Sequence, residues 1–138
     1  MGQRRRGREY ALQLLFQMDL SGGSPEDQFQ DFWEGLEVPG SVREFAEKLV
    51  RGTWNESDSL DEEIGRAAVN WRMDRMATVD RNVLRMATWE MLFDRDTPAA
   101  VIIDEAIEIA RKFGSEDSGG FINGILDSIK DRKLPGGV

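Results

Sequence analysis

Apolar residues recur at spacings of three and four along most of the chain, the period of helices that bury one face. Ala11, Leu14, Leu15 and Met18 share one face of a first helix, over roughly residues 4–20. Phe29, Phe32 and Trp33 fit a short second helix, Phe45, Leu49 and Val50 a third, and Leu60, Ile64 and Ala68 a fourth. Val83, Leu84, Ala87, Met91 and Leu92 mark a fifth, and Ile103, Ala106, Ile107 and Ala110 a sixth. Phe121, Ile122, Ile125, Leu126 and Ile129 mark a seventh. Start signals lie between these stretches. Ser24-Pro25-Glu26-Asp27 supplies a cap, a proline suited to the first turn and two acids at the positive end of the helix dipole. Ser41-Val42-Arg43-Glu44 and Ser59-Leu60-Asp61-Glu62 read as capping boxes. Thr78, Thr97-Pro98 and Ser115 open further helices, and Gly114 is a natural stop. Residues 100–103 alone have the composition of a strand, and helix signals flank them on both sides. The pattern predicts an all-α single domain of about seven helices with short loops, built as two packed bundles. It spans residues 1–134, with 1–8 a mobile basic arm, 71–77 a connector and 135–138 a disordered tail.

Composition narrows the class. The chain has 138 residues, 40% apolar and 32% charged, which suits one globular domain rather than a disordered segment. It has no cysteine, so no disulfide framework points to secretion, and a cytoplasmic location is the natural expectation. The basic N-terminus is followed only by short apolar runs broken at Gln13 and Gln17, unlike a signal peptide or a membrane span. Net charge is −8 and unevenly spread. Arg4, Arg5, Arg6 and Arg8, with no acid among them, make the first eight residues +4 and leave −12 for the rest. A basic arm for an anionic partner, on a body suited to a basic partner, is one reading; an acidic solvated surface with a frayed end is the other.

Several chemistries close on residue inventory. With no His and no Cys, the common neutral-pH base, the thiol nucleophile and the usual zinc ligands are missing. The glycines near Phe121 form neither a dinucleotide fingerprint nor a P-loop. Asp94, Asp96 and Glu105 match three positions of a calcium loop, but Pro98 and Ala99 break it. Asp104, Glu105 and Glu108 read as a solvated helix face, with Glu108 and Lys112 spaced for a surface pair. No catalytic, metal or cofactor site is expected. The tryptophans Trp33, Trp54, Trp71 and Trp89 sit among Leu, Met and Ile and read as core.

The first helix is the informative element. On a helical wheel Arg4 and Arg8 lie one turn apart at the edge of the core stripe, and Arg5, Leu12 and Phe16 lie on the adjoining flank. Arginines grip phosphates and an aromatic face stacks on an unpaired base, so this flank is a candidate single-stranded RNA site. The alternative is that Phe16 packs on a second helix and the arginines are solvent-exposed without a role; the wheel leaves both open.

Several segments in order carry a resemblance. They are Arg4-Arg5-Arg6-Gly7-Arg8-Glu9 with Ala11-Leu12-Gln13-Leu14-Leu15-Phe16; Asn70-Trp71-Arg72-Met73-Asp74-Arg75-Met76 with Val79-Asp80-Arg81-Asn82-Val83-Leu84-Arg85; Ile103-Asp104-Glu105-Ala106-Ile107-Glu108-Ile109-Ala110-Arg111-Lys112-Phe113-Gly114; and Phe121-Ile122-Asn123-Gly124-Ile125-Leu126-Asp127. Together they cover nearly the whole chain and resemble the NusB family of bacterial transcription antitermination factors. The resemblance implies a NusB-like fold of two perpendicular three-helix-bundle halves and a function in binding, not catalysis. It implies boxA RNA as ligand, the small-subunit ribosomal protein NusE as partner, and entry into the RNA polymerase antitermination complex, chiefly on ribosomal RNA operons. It also implies that Arg4, Arg5 and Arg8 contact RNA phosphates, that Phe16 stacks where many members have Tyr, and that Asp117 and Phe121 lie near the RNA. Gly119-Gly120 departs from the His-Lys common in the family, which removes a cation and weakens the start of the last helix, since Gly costs about 1 kcal/mol against Ala. Gly7 within the arginine run implies an arm that orders on binding. The family includes monomers and homodimers, and the sequence leaves both open. Two rivals stay in view: a protein-only scaffold, and a domain related to those that precede certain ribosomal RNA methyltransferases, for which a catalytic domain would have to follow Val138.

Overall fold

In a computed structural model that describes residues 2–136, the seven expected helices are all present. They are α1 (Gln3–Ser21), α2 (Pro25–Trp33), α3 (Gly40–Asn55), α4 (Ser57–Ala67), α5 (Thr78–Trp89), α6 (Ala99–Phe113) and α7 (Ser118–Lys133). A single 3-10 turn, Met73–Arg75, breaks the connector before α5, and a π-helical turn, Glu90–Asp94, extends its end. No strand occurs among the described residues, and residues 100–103 fall in α6. Among the described residues no helix is long and apolar enough to cross a membrane. The chain divides into two compact units, Met1–Asn55 and Glu56–Val138.

The first unit is a three-helix arrangement in which α1 packs on α3 and α2 packs on both. Its core is the predicted stripe Ala11, Leu14, Leu15 and Met18 set against Val42, Ala46, Leu49 and Val50. The entry to α2 forms as its sequence requires: the Ser24 backbone N–H donates to Asp27 Oδ2 at 3.1 Å and Pro25 takes the first helical position. Tyr10, Phe32 and Trp33 then meet edge to face, with ring centroids 4.9–6.1 Å apart. Trp33 Nε1 donates to Glu47 Oε2 at 2.8 Å, so the buried indole keeps a partner.

In the second unit α5, α6 and α7 pack on one another, and α4 lies against α5 and α7. Leu60, Ile64, Val83, Leu84, Ile102, Ile109, Ile122, Leu126 and Ile129 are almost wholly buried. A bidentate pair ties α4 to α5: Arg85 Nε and Nη2 donate to the two Asp61 oxygens at 2.7 and 2.9 Å. Glu63 ties α4 to α7 by accepting from Arg132 and by pairing with Lys133 at 3.4 Å. Burial pushes the Glu63 carboxyl pKa up, but the hydrogen bonds from Arg132 and Lys133 outweigh it and hold the carboxyl below its ordinary value. The stability this tie contributes is complete above the ordinary carboxylate range and is lost as pH falls through the lowered value. Melting temperature followed from roughly pH 7 down to pH 3 is expected to fall less steeply in Glu63→Gln than in the wild type, and parallel curves would contradict this role.

Three expectations change. Helix hydrogen bonding in α3 starts at the Pro39 carbonyl, which accepts from Val42 and Arg43, and in α4 at the Glu56 carbonyl, which accepts from Leu60. Ser41 and Ser59 are therefore inside their helices, not at the caps. The arm expected over residues 1–8 is helical from Gln3 onward, because Gly7 and Arg8 are buried where α1 meets α3. Of the four tryptophans only Trp33 and Trp89 are core; Trp54 and Trp71 are about half exposed. Of the tail, Pro135 and Gly136 form a turn, and residues 137 and 138 lie outside the described residues.

Candidate nucleic-acid interface

On the first unit the expected residues occupy the opening turns of α1. Arg4 and Arg8 both reach the Phe45 ring of α3, with their guanidinium carbons 4.6 and 5.3 Å from its centroid. A Cβ on Gly7 would come within 2.7 Å of Phe45 Cδ2, so only glycine lets the ring lie this close to α1. Ser41 Oγ donates to Gln3 Oε1 at 3.0 Å and fixes the start of α1 on the start of α3. The three arginines are not equivalent. Arg4 is exposed and Arg5 half-buried, while Arg8 is only 4% exposed. Phe16 is 37% exposed, so the flank that carries it is not wholly covered by a second helix; Leu12, between Arg5 and Phe16 along the chain, is buried and anchors that flank.

On the second unit the expected residues lie where α6 turns into α7. Gly114 closes α6 by donating its backbone N–H to the Ala110 carbonyl at 2.7 Å. Ser118 Oγ accepts the Ser115 backbone N–H at 3.0 Å, and the Ser118 side chain is buried. Asp117 precedes α7 without using its carboxylate to cap it, although its carbonyl accepts from the Phe121 N–H at 3.2 Å. Its side chain is exposed, so it can accept hydrogen bonds from base amino groups. Phe121 is partly buried and meets Trp71 edge to face, with centroids 5.3 Å apart. Among the described residues no group of three or more acids, His or Cys is arranged to hold a metal ion.

Comparison with known proteins settles the family. The NusB family model matches residues 5–131. The chain belongs to the NusB family. The transcription antitermination protein NusB of Sorangium cellulosum is 46% identical over 133 residues, 95% of this chain and 94% of that protein. Among solved structures, T. maritima NusB superposes with a TM-score of 0.83 at 40% identity, covering 96% of this chain and 94% of that one. A complex of the antitermination factors NusB and NusE with double-stranded RNA gives 0.85 at 26% identity, over 94% and 97% of the two chains.

Within this NusB family member, the glycine at 119 acquires a structural reason, whereas Gly120 has open space where a Cβ would go. A Cβ on Gly119 would stand 2.9 Å from Arg111 Nε and 3.3 Å from its Cγ, so the Arg111 side chain from α6 lies across the glycine. Arg111 also pairs with Glu108 at 3.1 Å. Two residues escaped the sequence reading. Phe45 was counted only as core, although its place opposite Gly7 in the packed helices makes it the support for two arginines. Trp71 was assigned to the core with the other tryptophans, yet it sits in the connector, outside any run of helical apolar spacing, and that was the available signal.

Proposed function

We propose that this protein is a transcription antitermination factor that binds boxA RNA together with the small-subunit ribosomal protein NusE and supports processive transcription, chiefly of ribosomal RNA operons. It acts in the cytoplasm by binding, not by catalysis. The observation that carries the reading is the flank of α1, where exposed Arg4 and half-buried Arg5 open the helix and a half-covered aromatic, Phe16, follows about three turns further along, on a helix braced by Phe45. Arg4 and Arg5 grip phosphates, and Phe16 stacks on a base with no hydroxyl to add. Arg8 works from beneath, holding Phe45 against α1 and contributing its charge to the same face. Asp117 and Phe121 supply an acceptor and a ring for further nucleotides from the second unit. The −12 charge outside the first eight residues suits a basic ribosomal protein.

Transcription in vitro tests the reading, on a template with boxA upstream of a terminator, in the presence of RNA polymerase, NusE and the accessory factors. Adding this protein should raise read-through on the boxA template and leave a scrambled-boxA template unchanged. Equal read-through on both templates, with and without the protein, would count against it.

A further inference from the structure

Trp71 is 56% exposed, an unusual state for the largest apolar side chain in a chain whose core has room for two other tryptophans. It is held, not loose. Its backbone N–H donates to the Ala68 carbonyl at 3.0 Å, and the following 3-10 turn is closed by the Met76 N–H on the Met73 carbonyl at 3.2 Å. The Phe121 ring from α7 meets the indole at an interplanar angle of 77°, bracing it edge to face. Residues 68–77 carry Arg72 and Arg75 against one acid, Asp74, so this connector is locally positive on a strongly acidic body. Arg72 is exposed and its pairing with Asp74 at 2.9 Å is also exposed and therefore weak.

We propose that Trp71 is a base-stacking platform, placed by Phe121, on which an unpaired base of the bound RNA rests. The inference rests on the RNA-binding reading above and adds to it a contact that the arginine-rich helix does not supply. A stack needs an aromatic of fixed orientation with solvent-accessible surface and a phosphate-compatible charge beside it. Trp71 meets each condition: Phe121 sets the ring, more than half of the residue is accessible, and Arg72 is its chain neighbour. A single-stranded RNA is favoured over a protein partner by charge, because the partner suited to the acidic body is basic and this connector is positive.

Fluorescence anisotropy with a labelled single-stranded boxA RNA tests the platform, comparing wild type, Trp71→Ala, Trp71→Phe and Trp71→Leu. A lost stack should weaken binding roughly 5- to 100-fold in Trp71→Ala. Trp71→Phe should recover most of the affinity and Trp71→Leu little of it. The slope of affinity against salt should stay as in wild type, since no phosphate contact is removed. Unchanged affinity in Trp71→Ala, while Arg4→Ala/Arg5→Ala weakens binding, would overturn the platform and leave the RNA reading standing. Normal RNA affinity with lost binding of the ribosomal protein would overturn it in favour of a protein contact. No RNA binding by the wild type would overturn both.

Discussion

Replacing Arg4 and Arg5 together with Ala is expected to weaken boxA RNA binding by well over tenfold without changing helix content. Each phosphate contact to a single strand contributes a slope of roughly 0.7 in log affinity against log salt, so losing two should flatten it by about 1.4. The pair is chosen because Arg4 is exposed and Arg5 half-buried on the flank that carries Phe16, whereas Arg8 is buried over Phe45. Arg8→Ala would mix lost charge with lost packing. Alanine is at least as good a helix former as arginine, and removing cations from the positive end of a helix dipole is favourable. These gains offset the lost Arg4–Phe45 ring contact, about 0.5–1 kcal/mol at an exposed site, so circular dichroism should hold and melting temperature change by only a few degrees while RNA affinity collapses. Unchanged affinity and slope would show that the opening of α1 is not the phosphate-binding face.

Gly114→Ala is expected to destabilise the fold by about 1–3 kcal/mol, a drop in melting temperature of roughly 3–15 °C for a domain of this size. The added Cβ would stand 2.5 Å from Ser118 Oγ and 2.7 Å from the Ala110 carbonyl oxygen. Neither neighbour can yield cheaply. The carbonyl is the acceptor that closes α6, and Ser118 is 1% exposed and already accepts the Ser115 N–H. The strain falls on the turn that positions Asp117 and Phe121, so RNA affinity should fall with stability. Gly124→Ala is the control. It lies inside α7 with open space where its Cβ would go, and the substitution should stabilise by about 0.5–1 kcal/mol through helix propensity. An unaltered melting temperature in Gly114→Ala, measured beside that control, would contradict the steric argument.

Most of the fold was legible because helices with one buried face leave a 3.6-residue apolar trace, and here every helix packs that way. The stripe Ala11, Leu14, Leu15 and Met18 was readable for this reason. Helix starts were less so. Capping boxes at Ser41 and Ser59 satisfy a local rule, but the Pro39 and Glu56 carbonyls begin accepting earlier, so each helix starts before its apparent cap. The π-helical turn ending at Arg95, which adopts φ +65° and donates to the Glu90 carbonyl at 3.0 Å, has no sequence signal; none of the glycines favoured in that conformation stands there. At the candidate interface the residue types on α1 were readable, and their burial was not. Whether an arginine at the edge of a stripe is free or covered depends on the opposing helix, and Phe45 with Gly7 decides it for Arg8. Trp71 was hidden by the opposite error, an aromatic credited to the core by type although its segment has no helical period.

The most direct measurement is an anisotropy titration of labelled boxA RNA and a scrambled control, each with and without NusE. The account predicts that the ribosomal protein tightens binding to boxA and not to the scramble. No binding of either RNA at low salt, even with the ribosomal protein present, would contradict it.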